Sequence, residues 1–292
     1  PLMSKDLFKT LDWIIANPNP ELDFAINTNL AVPEKLWNLF IEKITIIKSG
    51  GYVKKITVFS SIEGWGERAE YTRNGMDFKL LQVRYEQLCA IGNIRAVIMA
   101  AFNLLSITSF GKMLEWHLGL KKKYNSNNGI LTAEIESGFA LMTGSCAEER
   151  YNNSKDHFAS AGIDIPYLRH PTVLDAQICS DEMVDYHLIP LMNYMAENTI
   201  DNSWSRHQGF EIYEMEKLRR IVVHRLYYKK KSDPSRLDID IQRSGFYDFV
   251  NDLDKRNGTN FVEVFPEMTK FYELCKDTKK TLEQKHKEET NG

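Results

Sequence analysis

The chain has 292 residues, 43% of them hydrophobic and 26% charged, with a formal net charge of -3. It is long enough to bury a large core in one big domain or two, and its composition is ordinary for a globular protein. The charge excludes a global pull toward nucleic acid, no apolar run approaches the roughly 18 residues of a membrane span, and no signal peptide is apparent.

The first residues, PLMSKDLFKTLDWIIAN, run straight into a helix with Leu7, Leu11, Ile14 and Ile15 on one face and Ser4 as N-cap. A chain that opens inside a structural unit reads as a fragment. LDFAINTN, residues 22–29, reads as a strand. PEKLWNLFIEKITIIKSGG follows as a helix, with Pro33 in its first turn, Gly50 as its stop, and an apolar stripe of Leu36, Leu39, Phe40, Ile44 and Ile47. VKKITVFSSI is the second strand, and the next helix carries Leu81, Tyr85 and Leu88. Residues 94–103, IRAVIMAAFN, form the near-continuous apolar run of a strand covered on both faces. A helix over roughly 107–118 follows. This alternation assigns the α/β class with a parallel sheet, open or closed into a barrel.

The pattern loosens at KKKYNSNNG, which opens an insertion over about 121–162. IDIPYLRHPTVLDAQIC then supplies another strand, near 165–170, interrupted by Pro171. DEMVDYHLIPLMNYMAEN reads as a helix kinked or restarted at Pro190. Residues 1–200 form one unit on this reading, and residues 201–292 a helix-rich, charged C-terminal segment. The four cysteines, Cys89, Cys146, Cys179 and Cys275, lie far apart, with neither a disulfide framework nor metal-ligand spacing, and each reads as a buried thiol. A reducing cytoplasm is the expected compartment.

Polar residues gather at the strand ends. Asn27, Thr28 and Asn29 end the first strand; Ser60, Ser61 and Glu63 end the second; Asn103 ends the third; Arg169 and His170 lie near the fourth. In a parallel sheet these groups converge on one edge, where α/β proteins keep their ligands. Each also suits the plainer role of capping the helix that follows. Arg73 suits a surface ion pair with Glu67 or Glu70, and Trp65 suits a loop anchor as well as a substrate wall.

INTN, SSIEGWGERAEYTRNG and VIMAAFN, in that order, resemble the radical SAM superfamily, and within it the group carrying a twitch domain. Thr28-Asn29 matches a Thr-Asn motif, although Leu30 stands where Gly is usual. Ser61, Ile62 and Glu63 match a Ser-Ile-Glu motif, and Tyr71, Arg73 and Gly75 match the Tyr-x-Arg-x-Gly that follows it. Pro1-Leu2 resembles the end of a Gly-Gly-Glu-Pro motif, and DLDKRNGTNFVEVFPEM resembles the group's closing segment.

The resemblance implies a partial (β/α) barrel with parallel strands, truncated at its N-terminus. It implies S-adenosylmethionine and a [4Fe-4S] cluster as cofactors, an electron donor, and a peptide or protein as a possible substrate. Ser61 and Arg73 would contact the amino-acid end of S-adenosylmethionine, Asn27 would help hold it, and Asn103 would lie near the ribose or adenine. Glu63 would be a ligand contact or a base near the substrate. Pro1, Thr28, Asn29, Arg169 and Pro171 complete the cofactor-binding set. The cluster motif CxxxCxxC is missing from residues 1–292, so its ligands are expected upstream. A non-catalytic barrel that binds a nucleotide or peptide is the alternative. A third reading, RNA binding, comes from EKLRRIVVHRLYYKKKSDPSR, where basic residues interleave with Tyr227 and Tyr228. Acidic neighbours and the negative net charge favour a solvated basic face there.

Overall fold

The structure is a computed structural model, and it describes residues 2–92, 94–125, 160–200, 208–227 and 238–291. Strands β1 (Asn19–Thr28), β2 (Val53–Ser61), β3 (Arg95–Met99) and β4 (Ala161–Asp164) form one parallel sheet in the order β1-β2-β3-β4. The sheet is mixed with many helices and is open, with β1 and β4 as its edges among the described residues. The α/β expectation therefore holds at the level of a parallel sheet, and a closed barrel is not what these strands make.

The strands are joined by α2 (Glu34–Ser49), by α3 (Glu67–Thr72) with α4 (Phe78–Ile91), and by α5 (Phe110–Leu120). Crossovers between neighbouring parallel strands share one hand, so a sheet wound in sequence order carries all its helices on one face. Burial follows that rule. Ile26, Ile56, Val58, Ala96, Ile98, Ala161 and Ile163 are buried in one apolar cluster with Phe40, Ile44, Leu81, Leu88, Met113 and Leu114. Tyr85 on α4 donates to the carbonyls of Ala96 at 2.9 Å and Gly162 at 3.2 Å, and so ties the helix layer to β3 and β4. On the opposite face Ala25 and Asn27 are exposed, and Phe59, Ser61 and Met99 are half-buried.

The fourth strand lies earlier than expected, at Ala161–Asp164 rather than near 165–170. Pro166 has no amide hydrogen to give a ladder. The chain continues alongside β3 by single bonds, Phe102 N to Pro166 O at 2.8 Å and Leu168 N to Phe102 O at 2.9 Å. The third strand is also shorter than its apolar run, because Asn103 starts a 3-10 turn. Of the expected insertion, residues 121–125 extend α5 as a π-helical turn and residues 126–159 lie outside the described residues. The expected break at Pro190 is a π-helical turn, Val184–Leu188, leading into α6 (Ile189–Glu197). Proline cannot donate the helical bond and crowds the carbonyl four residues back, and the wider turn accommodates both.

The described residues after 208 are mostly helical: α7 (Ile212–Tyr227), α8 (Ile239–Asn257) and α9 (Thr269–Asn291). α8 and α9 pack through Phe246, Phe261, Phe265 and Phe271, with the Phe246–Phe261 rings edge-on at 5.6 Å. Among the described residues no helix is long and apolar enough to cross a membrane.

Among the described residues the outer edge of β4 meets side chains and no fifth strand. Asn125 accepts from Ala161 N at 3.0 Å and donates to Ala161 O at 3.2 Å. Glu214 on α7 accepts from Ile163 N at 3.0 Å. Its second oxygen pairs at 2.8 Å with Lys121, and both side chains are fully buried. Glu214→Ala would strand a buried ammonium and an edge amide together, and is expected to cost about 3–5 kcal/mol. Urea unfolding checks this. Combining Glu214→Gln with Lys121→Met should lose less than the two single changes summed, because the uncompensated charge is gone.

Candidate functional site

Parallel register sets the site. Asn27 stands beside Phe59, Thr28 beside Ser60, and Ser61 beside Met99. Alternate residues face opposite sides of a strand, so Asn27, Asn29 and Ser61 point to the uncovered face, while Thr28 and Ser60 point to the helices. Thr28 and Ser60 are accordingly buried. Thr28 spends its hydroxyl on its own turn, accepting from Leu30 N at 3.0 Å. It is thus placed as a local cap and away from the open face.

Leu30 has φ 58°, the left-handed region that favours glycine. The backbone shape expected of a Thr-Asn-Gly turn is kept with a leucine in it. Its side chain is buried, and its carbonyl accepts from Arg84 on α4. Burial and the arginine clamp offset the strain of about 1 kcal/mol that a side chain meets there.

The segment after β2 is the most constructed part of the edge. Ile62 N donates to Met99 O at 3.2 Å, so the ladder runs one residue past the strand. Glu63 and Arg73 then meet in a two-armed ion pair, Nε and Nη2 each on one carboxylate oxygen. This is the partner of Arg73, in place of Glu67 or Glu70. The bonds to Glu63 hold the Arg73 guanidinium pKa above its ordinary value, against the opposing effect of burial. Arg73 remains about one third exposed, so the pair is within reach of a ligand.

Around the pair the loop is anchored to the body. Trp65 N donates to Ser109 Oγ at 3.2 Å, and the Trp65 ring lies 4.8 Å from Phe78 and 5.7 Å from Trp116. Trp65 is therefore an anchor. Gly66 at φ 59° and Gly75 at φ 82° supply the two turns between which Tyr71 and Arg73 are presented. Tyr71 is buried against Phe261 at 6.0 Å and Phe265 at 5.4 Å, and burial beside Asp254 pushes its hydroxyl pKa up.

Arg68, in the same loop but outside the Tyr-x-Arg-x-Gly match, makes a two-armed bond with Glu267, both arms 2.7 Å, with each side chain only 24% exposed. The loop of residues 60–75 and the tract of residues 252–268 are thus packed together.

Asn103 is buried and engaged within its own turn. It accepts from Leu105 N at 2.9 Å, donates to Ala101 O at 3.0 Å, and closes a capping box with Ser106. Its placement is that of a cap. Asn27 and Asn29 are exposed, and Asn29 also accepts from Ala31 N at 3.2 Å.

Arg169 lies apart from the Glu63–Arg73 pair in these interactions. It stacks over Tyr167 at 5.2 Å, with a nitrogen 3.3 Å from His224 Nε2, while Tyr167 donates to Asp175. Pro171 is exposed, after a cis His170–Pro171 peptide. Pro1 lies outside the described residues. In the basic tract Arg225 is buried, bonded to Cys179 O at 2.9 Å and Asp181 at 3.0 Å, and Arg219 pairs with Glu216. Residues 228–237, with Tyr228, lie outside the described residues.

Two pairs on the face away from the crossover helices escaped the sequence reading. Asp164, level with Met99 and Ser61, pairs with Lys217 from α7, and Arg95 donates to Tyr213 OH at 2.9 Å. Tyr213 and Lys217 are four apart, one helical turn, so a shared face was legible, but not what it faces.

A carboxylate and a guanidinium side by side suit the ammonium and carboxylate of a free amino-acid end. The described residues do not fit an iron-sulfur cluster. Among the described residues no group of three or more His, Cys, Asp or Glu is placed to hold a metal ion. Cys89, Cys179 and Cys275 are buried and free, and burial pushes the Cys275 thiol up to about 12, far from the thiolate that ligates iron. Cys146 lies outside the described residues. No protein-family model matches the chain, and no curated protein or solved structure matches it.

The Arg68–Glu267 pair yields a direct test. Arg68→Ala is expected to lower unfolding stability by about 1–3 kcal/mol, because it leaves a largely buried carboxylate without its partner. A double-mutant cycle with Glu267→Gln in urea should return a coupling of the same sign.

Proposed function

We propose that residues 1–292 are the S-adenosylmethionine-binding part of a radical SAM enzyme, with the open sheet as a segment of its (β/α) barrel. The observation that supports this best is the Glu63–Arg73 pair. It stands at the C-terminal edge of a singly wound parallel sheet, within the Ser-Ile-Glu and Tyr-x-Arg-x-Gly matches, on the same edge as Ser61, Asn27 and Asn29.

The roles follow from the side chains. Glu63 accepts from the ligand's ammonium. Arg73, whose planar fork holds Glu63 in place, gives its free guanidinium donors, those of Nη1 among them, to the ligand's carboxylate. Ser61 both donates and accepts. Asn27 and Asn29 line the neighbouring strand end, and Asp164 with Lys217 bounds the far side of the face. The helix layer on the other side keeps water from the backs of the strands. In a radical SAM enzyme the cofactors would supply a radical that removes hydrogen from a substrate, which we propose to be a peptide or protein side chain.

Calorimetric titration with S-adenosylmethionine tests the reading. Arg73→Ala is expected to weaken binding roughly 10- to 150-fold, the value of a charge-assisted bond of about 1.5–3 kcal/mol. Arg73→Lys should recover part of the loss, since an ammonium lacks the fork. Methylthioadenosine, which has no amino-acid end, should bind the parent and Arg73→Ala alike. Absence of saturable binding by the parent, or equal affinity of S-adenosylmethionine for parent and Arg73→Ala, overturns the assignment.

A further inference from the structure

A second recess lies outside the sheet edge. It is a cleft of about 270 Å³ lined by Ser180, Glu182, Met183, Tyr186, His187, Glu267, Lys270 and Phe271. One wall is the π-helical turn Val184–Leu188 with the residues before it, and the other is the start of α9 with the 3-10 turn Pro266–Met268. Single π-helical turns inside α-helices recur at functional sites, because the extra residue re-aims side chains. Here the turn carries Tyr186 and His187.

The walls are of two kinds. Met183 and Phe271 are buried and give an apolar floor. Glu182 and Glu267 face the cleft from opposite walls. Glu267 stays ionised: burial raises its pKa, but the two-armed bond from Arg68 opposes that and the net shift is downward. His187 titrates below its ordinary value, burial being the largest cause, so the imidazole is uncharged at neutral pH and offers an acceptor. Lys270 is the one cation of the lining; it reaches Glu182 at 2.9 Å from an 83% exposed position at the rim. An exposed pair of that kind contributes little and yields to a better-placed competitor. The lining is thus apolar below and aromatic at the rim, with two carboxylates that hold Arg68 and the exposed Lys270. Tyr186, 72% exposed, offers a ring to a cation.

We propose that this cleft binds the side chain of a lysine or arginine residue in a peptide. The alkyl stem lies on Met183 and Phe271, and the cationic head lies between Glu182 and Glu267 within reach of His187. The assignment does not rest on S-adenosylmethionine binding. It does touch that site, since Glu267 also holds Arg68 in the loop that presents Arg73.

The test is titration of residues 1–292 with four probes: N-acetyl-lysine methylamide, N-acetyl-arginine methylamide, the uncharged N-acetyl-norleucine methylamide, and cadaverine as a free diamine. Binding is read from the methyl resonances of 13C-labelled methionine, with Met183 as reporter. The lysine or arginine probe should bind about tenfold or more tighter than the norleucine probe, as charge-assisted bonds require. Glu182→Gln should weaken the cationic probe by roughly threefold to tenfold with an unchanged melting temperature, because its pair with Lys270 is exposed. Lys270→Met removes the internal competitor and should tighten the same probe. The norleucine probe binding as well as the lysine probe, or indifference of the cationic probes to both variants, overturns the proposal. So does cadaverine binding more tightly than either amino-acid probe. S-adenosylmethionine titrated in parallel keeps the two sites distinguishable, since Glu182→Gln should leave its affinity unchanged.

Discussion

The crossover rule for parallel strands governs this molecule. Each of β1, β2, β3 and β4 lies beside the strand before it in the chain, and all run the same way. Returning a chain to the start of a neighbouring parallel strand takes a helix over one face, and the hand of that path does not vary. The crossover helices therefore accumulate on one side, the opposite face carries none of them among the described residues, and every strand delivers its last residues to the same edge. The Glu63–Arg73 pair owes its position to that geometry. Where the sheet stops, at β4, the backbone groups still require partners. Asn125 and Glu214 supply them, and the buried Lys121 balances the charge that the cap brings in.

The C-terminal helices serve the edge as much as they close the fold. Tyr71 is seated among Phe261 and Phe265, Asn74 donates to Asn257, and Arg68 grips Glu267, so the loop carrying Arg73 is fixed from both ends. Such restraint matters for a guanidinium that must present its free donors to a ligand while two others are held by a carboxylate. Side chains of that length lose recognition when their rotamers are free. The same Glu267 forms a wall of the cleft beside Tyr186 and His187, so one carboxylate connects two recesses on the molecule.

Much of the architecture was legible because it depends on short-range patterns. Apolar spacing gave the helices over Glu34–Ser49 and Phe78–Ile91, and short apolar stretches before polar strand ends gave β1 and β2 to within a few residues. The displaced fourth strand was misplaced for a chemical reason. Residues 165–170 have the apolar look of a strand, but Pro166 lacks the amide that a ladder needs, so pairing is completed earlier, at Ala161–Asp164. At the edge, the Ser-Ile-Glu and Tyr-x-Arg-x-Gly residues stood out because their types and spacing sit in one stretch. Thr28 and Asn103 stood out equally, yet their hydroxyl and amide are taken by their own turns. A polar residue at a strand end looks the same in sequence whether it serves a cap or a ligand.

What the order of residues carried was local: the periodicity of each element, the glycines that permit its turns, and the residue types available at each strand end. Partner choice lay beyond it. Arg68 and Arg73 are five residues apart in one loop, and nothing in their neighbourhood says that one takes Glu63 and the other Glu267, 199 positions along the chain. Nor does the sequence say that Lys217 faces Asp164, or that Glu214 caps a strand edge. Periodicity acts over three or four residues, and a charged side chain finds its partner through packing of elements brought together from remote parts of the chain.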